Sequence, residues 1–177
     1  MTETLFPVAA SDVALTTDEW YTPRWLFKTA GLTFDMDVCA PVDPAFRTCP
    51  AREYLTVLDD GLTAPWSGLI WCNPPYSRAA PWVDRLSVHP DWLALVRPTP
   101  ENPWLGRLLR AGDATTFPTV IFGRPDGSTA RLFWPSLLVA RGSHGVQGLA
   151  QVASACPVMA GAYHVKPMAE LIKAHQP

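Results

Sequence analysis

Hydrophobic positions along the chain cluster in short runs that polar, proline-containing segments separate. Two runs are apolar without interruption, at 68–72 (GLIWC) and 92–96 (WLALV), which is typical of strands buried on both faces of a sheet. Residues 32–38 (LTFDMDV) instead alternate apolar and acidic positions and predict a third strand, and 53–58 is a candidate for another. The first hundred residues therefore predict a sheet.

Helical segments are predicted between these strands. Thr22-Pro23 begins one, because Thr can cap a helix and Pro fits its first turn, and Gly31 can end it. Asn102-Pro103 repeats this start for a helix that runs to Ala111, and 80–86 is a further candidate. Strands separated by helices predict an α/β fold with a largely parallel sheet.

The later part of the chain carries a different pattern. Apolar runs at 119–122 and 132–139 flank the turn signal Pro125-Asp126-Gly127, and together they predict a C-terminal antiparallel hairpin. After residue 141, Gly, Ala, Ser and His are frequent, and 167–175 is a short helix candidate.

The length of 177 residues suits one domain, because a second core would leave too few residues for either. We expect three parts, which are a flexible N-terminal arm at 1–18, a domain at 19–141 and an extension of unknown role at 142–177.

Charge is unevenly distributed, although the net charge is only −2. Residues 1–65 carry ten acids and four bases, whereas 66–177 carry six acids and ten bases, and eleven of the fourteen bases are Arg. The total excludes a uniformly basic protein that coats nucleic acid. The guanidinium group is a planar donor suited to phosphates and base edges, although solvated surface charge is the simpler interpretation of this split.

The four cysteines, at 39, 49, 72 and 156, form no C-x-x-C pair and have no His at ligand spacing, so no metal site is expected. The first residues lack the pattern of a signal peptide, and no apolar run approaches the ~20 residues of a membrane span. These patterns predict a soluble, reduced, intracellular protein with no membrane partner.

The strongest chemical signal is Asn73-Pro74-Pro75-Tyr76, which directly follows the buried run at 68–72. In an open parallel sheet, ligands bind at the carboxyl ends of the strands. Two prolines restrict the backbone, so the Asn73 side-chain oxygen and the Pro74 carbonyl can act as fixed acceptors for the two N–H groups of an exocyclic amine. Tyr76 offers a flat face on which a base can stack.

Several short elements occur together with this motif. They are Asp18-Glu19-Trp20-Tyr21-Thr22-Pro23, Phe34-Asp35-Met36-Asp37-Val38-Cys39-Ala40, Asp59-Asp60-Gly61-Leu62, Pro65-Trp66, Trp71-Cys72-Asn73-Pro74-Pro75-Tyr76-Ser77 and Pro81-Trp82-Val83. In this order, over residues 18–141, the chain resembles the phage-type Dam DNA N6-adenine methyltransferases, which use S-adenosylmethionine. The resemblance implies a Rossmann-like methyltransferase fold, with the cofactor elements before the catalytic motif, as in the gamma arrangement.

The resemblance also implies roles for individual residues. Asn73-Pro74-Pro75-Tyr76 would be the catalytic motif that holds a flipped-out adenine. Thr22 and Pro23 match the family's N-terminal cofactor motif, and Asp37 would face the methionine part of S-adenosylmethionine, with Ala40 beside it. Either Asp59 or Asp60 would contact the ribose or adenine of the cofactor.

DNA is the partner that the resemblance implies, most simply as a duplex with the target adenine flipped out. Ser77 and Arg78 follow the catalytic motif and are candidate DNA contacts, as is Arg124 in the predicted hairpin loop, with Arg131 a weaker one. Trp20, Tyr21 and Trp66 could line the cofactor or base pocket, although aromatic residues near motifs more often belong to a core.

One departure from most methyltransferases concerns the loop after the first strand. It reads Cys39-Ala40-Pro41-Val42-Asp43-Pro44 and has no glycine, as is common in the phage-type family too. Two alternatives stay open. One is methylation of cytosine N4, which is also an exocyclic amine, and the other is a DNA- or protein-binding module that has kept the fold without catalysis.

Overall fold

The computed structural model of the chain describes residues 18–131, 135–156 and 164–165. Its strands are β1 (Phe34–Asp37), β2 (Ala51–Tyr54), β3 (Ile70–Cys72), β4 (Trp92–Val96), β5 (Ala114–Thr116), β6 (Ile121–Gly123), β7 (Thr129–Arg131), β8 (Leu137–Arg141) and β9 (His164–Val165). Its helices are α1 (Arg24–Ala30), α2 (Ala79–Val88), α3 (Pro103–Ala111) and α4 (Gly142–Ala155). Single 3₁₀ turns lie at Pro44–Phe46 and Tyr76–Arg78.

Seven strands form one mixed sheet in the order β2-β1-β3-β4-β8-β5-β9. The first four are parallel to one another, whereas β8 lies antiparallel between β4 and β5, and β9 is antiparallel to β5. Since β8 opposes both of its neighbours, β5 has the direction of β1 to β4. The predicted α/β fold with a mostly parallel sheet is confirmed.

Helices cover both faces of this sheet, and the strand side chains alternate between the two layers. In β4, Leu93 and Leu95 face the cluster that contains side chains of α1 and α4, whereas Trp92, Ala94 and Val96 face the cluster that contains side chains of α2 and α3. All five are buried. A strand enclosed on both faces therefore explains why 92–96 is apolar without alternation.

The predicted C-terminal hairpin is only partly right. A hairpin forms, but β6 pairs with β7 at 129–131, and the apolar run that was assigned to its second strand contributes β8 to the main sheet instead. Leu137, Leu138 and Val139 are all buried, which a two-stranded ribbon cannot provide, so the run is enclosed between β4 and β5. Residues 132–134 lie outside the described residues.

Two other predicted boundaries are wrong. The strand expected at 53–58 is β2, at Ala51–Tyr54, because the carboxylate of Asp59 accepts hydrogen bonds from the Thr56 amide (2.9 Å) and hydroxyl (2.8 Å) and closes a turn there. Thr22 does not cap α1. Pro23 occupies that position, and the Thr22 hydroxyl contacts Asn73 instead. Gly31 ends α1 in the left-handed conformation (φ 65°), as predicted.

Residues beyond 141, to which the sequence assigned no role, contribute to the core. Residues 142–155 form α4, which packs against α1, and Leu149 and Val152 of α4 are fully buried. The division into arm, domain and extension stays a prediction. Residues 1–17 and the helix candidate at 167–175 lie outside the described residues.

Two further expectations concern the state of the cysteines and the presence of a membrane span. All four cysteines are free thiols, with Cys49 and Cys72 buried and Cys39 and Cys156 partly exposed. In the part of the chain that the structure describes, no helix has the length and apolar character needed to cross a membrane.

Candidate active site

A cavity of about 430 Å³ opens where β1 and β3 end, at the carboxyl edge of the parallel strands. Its walls come from the 18–22 segment, the loop after β1, the turn at 56–62 and the start of the loop after β3. Seven of the predicted site residues line it, namely Thr22, Asp37, Ala40, Asp60, Asn73, Pro75 and Arg78. The topology thus brings together residues from four separate stretches of sequence.

The Asn73 side chain is held in one orientation at this cavity. Its amide nitrogen donates to the backbone carbonyl of Trp20 (2.7 Å) and to the hydroxyl of Thr22 (3.3 Å). If the amide were flipped, its oxygen would point at the Trp20 carbonyl oxygen, and two acceptors cannot hydrogen-bond. These partners therefore establish which amide atom is the nitrogen and which is the oxygen. The Asn73 Oδ1 is buried and has no hydrogen-bond partner among the described residues. A fixed acceptor is therefore left available.

The neighbouring prolines leave a second acceptor. The Pro75 carbonyl accepts the Arg78 amide (3.0 Å) and so belongs to the 3₁₀ turn, whereas the Pro74 carbonyl accepts no hydrogen bond from the described part of the chain. Because proline has no N–H, neither residue can offer a donor here. The motif thus leaves two oxygen acceptors available, the Asn73 Oδ1 and the Pro74 carbonyl, and the two prolines add no backbone N–H donor beside them.

Asp37 lies at the end of β1, where it lines the cavity although it is only 4% exposed. One carboxylate oxygen accepts the Cys39 amide at 3.2 Å. Burial raises the pKa of this carboxyl from its usual 3.8 to about 7, and the Cys39 amide and the charge of Arg47 oppose the shift. A buried carboxylate with so little compensation favours a cationic ligand, because ionisation without one is expensive.

The loop that follows Asp37 is held without glycine. Ala40 is buried, and its amide donates to the Leu55 carbonyl at 2.8 Å. The Arg47 guanidinium then donates to the carbonyls of Pro41 and Val42, both at 3.1 Å. These bonds fix a proline-containing loop against the cavity.

The turn at 59–61 distinguishes two residues that the sequence left as alternatives. Asp59 turns back to cap Thr56 and does not line the cavity, whereas Asp60 lines it. Asp60 has the left-handed φ of 48°, and a Cβ on Gly61 would lie 2.4 Å from the Val38 carbonyl. Glycine is therefore needed at 61 because the turn packs directly on the end of β1.

Tyr76 differs from the expectation of an open stacking face. Its hydroxyl is buried without a hydrogen-bond partner among the described residues, and burial raises its pKa, while the charge of Arg97 opposes that rise. The Nε of Arg97, directly after β4, is likewise buried and unpartnered. Arg97 was missed from the sequence, since a single Arg after a strand carries no distinguishing pattern.

The three candidate DNA contacts occupy different environments. Ser77 is exposed, and its hydroxyl and amide both donate to the Asp18 carboxylate. Arg78 is exposed at the cavity, and its guanidinium has no partner in the described residues. Arg124 instead stacks over the Trp20 ring, with 4.4 Å from its guanidinium carbon to the ring centroid, and donates to the Glu19 carbonyl at 3.2 Å.

The aromatic candidates also separate. Trp20 and Tyr21 line the cavity, and the Tyr21 ring stacks on Phe46 with centroids 4.7 Å apart. Trp66 does not line it. Its indole nitrogen donates to the Gly61 carbonyl (2.9 Å) and its ring stacks on Trp82, so it supports the 59–61 turn.

Comparison with known proteins now bears on this site. Residues 11–91 match the family described as DNA N-6-adenine-methyltransferase (Dam). Over these residues, a little under half of the chain, the sequence is similar to that family. The family predicted from the sequence is thereby confirmed, and the matched stretch contains Thr22, Asp37, Asp60 and Asn73.

A curated Dam-family relative is the DNA N-6-adenine-methyltransferase of Haemophilus phage HP1 (strain HP1c1), which is 37% identical over 73 residues. That alignment covers 38% of this chain and 40% of the relative, so the chain spans less than half of the relative's length. No solved structure matches the chain. No group of three or more metal-ligating side chains occurs in the described ranges.

Proposed function

We propose that the chain transfers a methyl group from S-adenosylmethionine to the N6 amine of adenine in DNA. The observation that carries the proposal is the fixed, unpartnered Asn73 Oδ1 at a cavity in a Dam-family sequence. An acceptor that is oriented before the ligand arrives needs no rearrangement when charge develops on the substrate.

The residues of the cavity suit the cofactor. S-adenosylmethionine, when bound, supplies a methyl group made electrophilic by its sulfonium. Its α-ammonium is the kind of cation that the buried Asp37 carboxylate lacks, and a cavity of about 430 Å³ is within the range of cofactor sites. Thr22, Ala40 and Asp60 line the same cavity, whereas Pro23 and Asp59 do not.

The order of the sheet supports a Rossmann-like methyltransferase fold. Four parallel strands are followed by an antiparallel strand, β8, that lies between β4 and β5. The proposed cofactor and catalytic residues lie after β1 and β3, which are neighbours, and a ligand at the carboxyl edge would contact both loops.

The mechanism follows from the acceptors of the motif. Asn73 Oδ1 and the Pro74 carbonyl would each accept one N–H of the adenine amine, which directs the nitrogen lone pair away from them and towards the methyl carbon. Bound S-adenosylmethionine would supply the methyl group that N6 takes up, with S-adenosylhomocysteine as the by-product. The two acceptors stabilise the positive charge on N6 until one proton is lost to water.

The adenine must leave the DNA stack to reach these groups, which costs a few kcal/mol. The flat face of Tyr76 would offset part of this, with its hydroxyl end buried beside Arg97. Ser77, Arg78 and Arg124 are the proposed DNA contacts. We place the reaction in the cytoplasm of a bacterial or phage-infected cell, without a metal ion or membrane partner.

Mass spectrometry of nucleosides tests this function directly. DNA is incubated with the protein and S-adenosylmethionine, digested, and analysed for N6-methyladenine and N4-methylcytosine. We expect N6-methyladenine with wild-type protein and none with Asn73→Ala. N4-methylcytosine would assign the other amine, and no methylated nucleoside on varied DNA would favour a non-catalytic module.

A further inference from the structure

The β6–β7 hairpin is joined to the catalytic loop through the 18–22 segment, which lies between them. On the hairpin side, Tyr21 and Gly123 exchange two backbone hydrogen bonds of 3.0 Å each. On the other side, the Trp20 carbonyl accepts the Asn73 amide and Asp18 accepts both donors of Ser77. The segment thus contacts hairpin and catalytic loop at alternate residues.

Arg124 makes the side-chain contacts that hold this segment to the hairpin. It donates to the Glu19 carbonyl (3.2 Å), and its guanidinium lies 4.4 Å from the centroid of the Trp20 ring. The same ring packs edge-on against Phe122 at 5.9 Å. Arg124 therefore contacts Trp20, whose carbonyl orients the Asn73 side chain, and Glu19, the residue before it.

The loop that carries Arg124 is itself closed. The Arg124 amide donates to the Ser128 carbonyl (3.0 Å) and the Gly127 amide returns a bond to the Arg124 carbonyl (3.0 Å). The Asp126 carboxylate caps the turn by accepting the Ser128 amide at 2.9 Å. A closed loop fixes the backbone from which the Arg124 side chain extends, so the contact with Trp20 starts from a defined position.

We propose that Arg124 is a positioning residue for Asn73. By holding Glu19 and Trp20 against the hairpin, it fixes the carbonyl that accepts the Asn73 amide, and hence the direction of the Asn73 Oδ1. The hairpin and the catalytic acceptor then form one mechanical unit, and a ligand that displaces loop 124–128 also displaces Asn73. The effect of this coupling on catalysis rests on the proposed function, whereas the coupling between the hairpin and Asn73 does not.

The sequence provides a direct probe of this coupling, because Asn73 and Asn102 are its only asparagines. Protein labelled selectively with ¹⁵N-asparagine gives two side-chain NH₂ signals, and Asn73→Gln assigns them. Asn102 is exposed at the start of α3 and makes no side-chain cap bond, so it is an internal control. The Asn73 signal reports directly on the hydrogen bond to Trp20.

The matched variants are Arg124→Ala and Arg131→Ala. Both remove one Arg from the hairpin, but Arg131 is exposed in β7, opposite Ile121, at the end away from the loop. We expect Arg124→Ala to shift or broaden the Asn73 signal, Arg131→Ala to leave it unchanged, and the Asn102 signal to stay constant in both. In Arg124→Lys the Asn73 signal should lie closer to its wild-type position than in Arg124→Ala, because Lys can still donate to the Glu19 carbonyl.

An Asn73 signal identical to wild type in Arg124→Ala would overturn the proposal. If that variant does not fold, as the Asn102 signal and circular dichroism would reveal, Arg124→Gln replaces it with the same expectation. In methylation assays, we expect the positioning role to lower kcat by roughly tenfold, since small misplacements are costly in catalysis. A rise in the KM for DNA with no change in kcat or signal would make Arg124 a DNA contact only.

The two proposals can fail separately. If Arg124→Ala shifts the Asn73 signal but the wild-type protein has no methyltransferase activity, the coupling stands and the proposed reaction is rejected. Activity with an unshifted signal does the reverse.

Discussion

Asn73 and Asp37, which both line the cavity, are held in different ways. At the Asn73 end, the amide nitrogen has two partners and the oxygen has none among the described residues, so a neutral acceptor is oriented in advance. At the Asp37 end, a buried carboxylate accepts one amide and its pKa is raised to about 7. The Asn73 side chain is oriented without a ligand, whereas the charge of an ionised Asp37 is not compensated without one. Under the proposed function, the acceptor at Asn73 would be oriented before the substrate binds, whereas the charge of Asp37 would be compensated by the cofactor.

The largest expected effect comes from removing the oriented acceptor. Asn73→Ala should lower methyl transfer by about 1,000-fold, because a preorganised group at the reacting atom is lost. Calorimetric affinity for S-adenosylmethionine should stay within about twofold, since Asp37 is untouched. Asn102→Ala is the matched control and should keep full activity. Near wild-type transfer of labelled methyl by Asn73→Ala would remove Asn73 from the mechanism.

A change at Asp37 should alter the affinity for S-adenosylmethionine rather than the rate of methyl transfer. Asp37→Asn should weaken S-adenosylmethionine binding by about 30-fold, because an ammonium loses its buried partner. In wild type, affinity should rise between pH 6 and pH 8, because the ionised carboxylate binds the cation and the free carboxyl has a pKa of about 7. The variant should lack that rise. Equal affinity and pH dependence in both proteins would contradict the assignment.

A smaller effect is expected from the second partner of Asn73. Thr22→Val keeps the shape of the side chain and removes the hydroxyl that accepts the Asn73 amide at 3.3 Å. The Trp20 bond remains, so kcat should fall only about fivefold, as for one neutral hydrogen bond. Thr22→Ser retains the hydroxyl and should stay close to wild type. A loss as large as that of Asn73→Ala would mean that Thr22 does more than orient the amide.

The smallest effect concerns the rim of the cavity. DNA affinity should fall as salt rises, because phosphate neutralisation releases counterions. Arg78→Ala should reduce the slope of log affinity against log salt by about one, since this exposed guanidinium has no partner in the described residues. Fluorescence anisotropy over a salt series measures both slopes. Affinity that is independent of salt would argue against duplex DNA as the partner.

The continuous apolar runs are the part of the fold that the sequence predicts well. Residues 92–96 are buried on both faces and cannot form an amphipathic element, so they are recognisable as a central strand. The run at 132–139 was assigned to a hairpin, whereas it contains β8, which pairs with β4, because periodicity carries no information about pairing. The helix α4 was also missed, since its glycines and small residues resemble a loop.

At the site, too, sequence patterns indicate some of the functional groups and not others. Asn73 and Asp37 carry functional groups that sequence displays, and both line the cavity. The Trp20 contribution is a backbone carbonyl, which every residue has, so no pattern could indicate it. Asp59 does not line the cavity because its carboxylate caps Thr56 in a local turn, and only the three-dimensional arrangement distinguishes it from Asp60 in this respect.

The insertion of β8 beside β4 has a consequence for how the chain folds. Residues 18–96 can form the four parallel strands early in synthesis, but β4 then presents an unpaired edge with five apolar side chains until residues 137–141 arrive. Such an edge is a template for association with other chains. The interval between translation of β4 and β8 is therefore the period of greatest aggregation risk, and a stop codon before residue 137 would make it permanent.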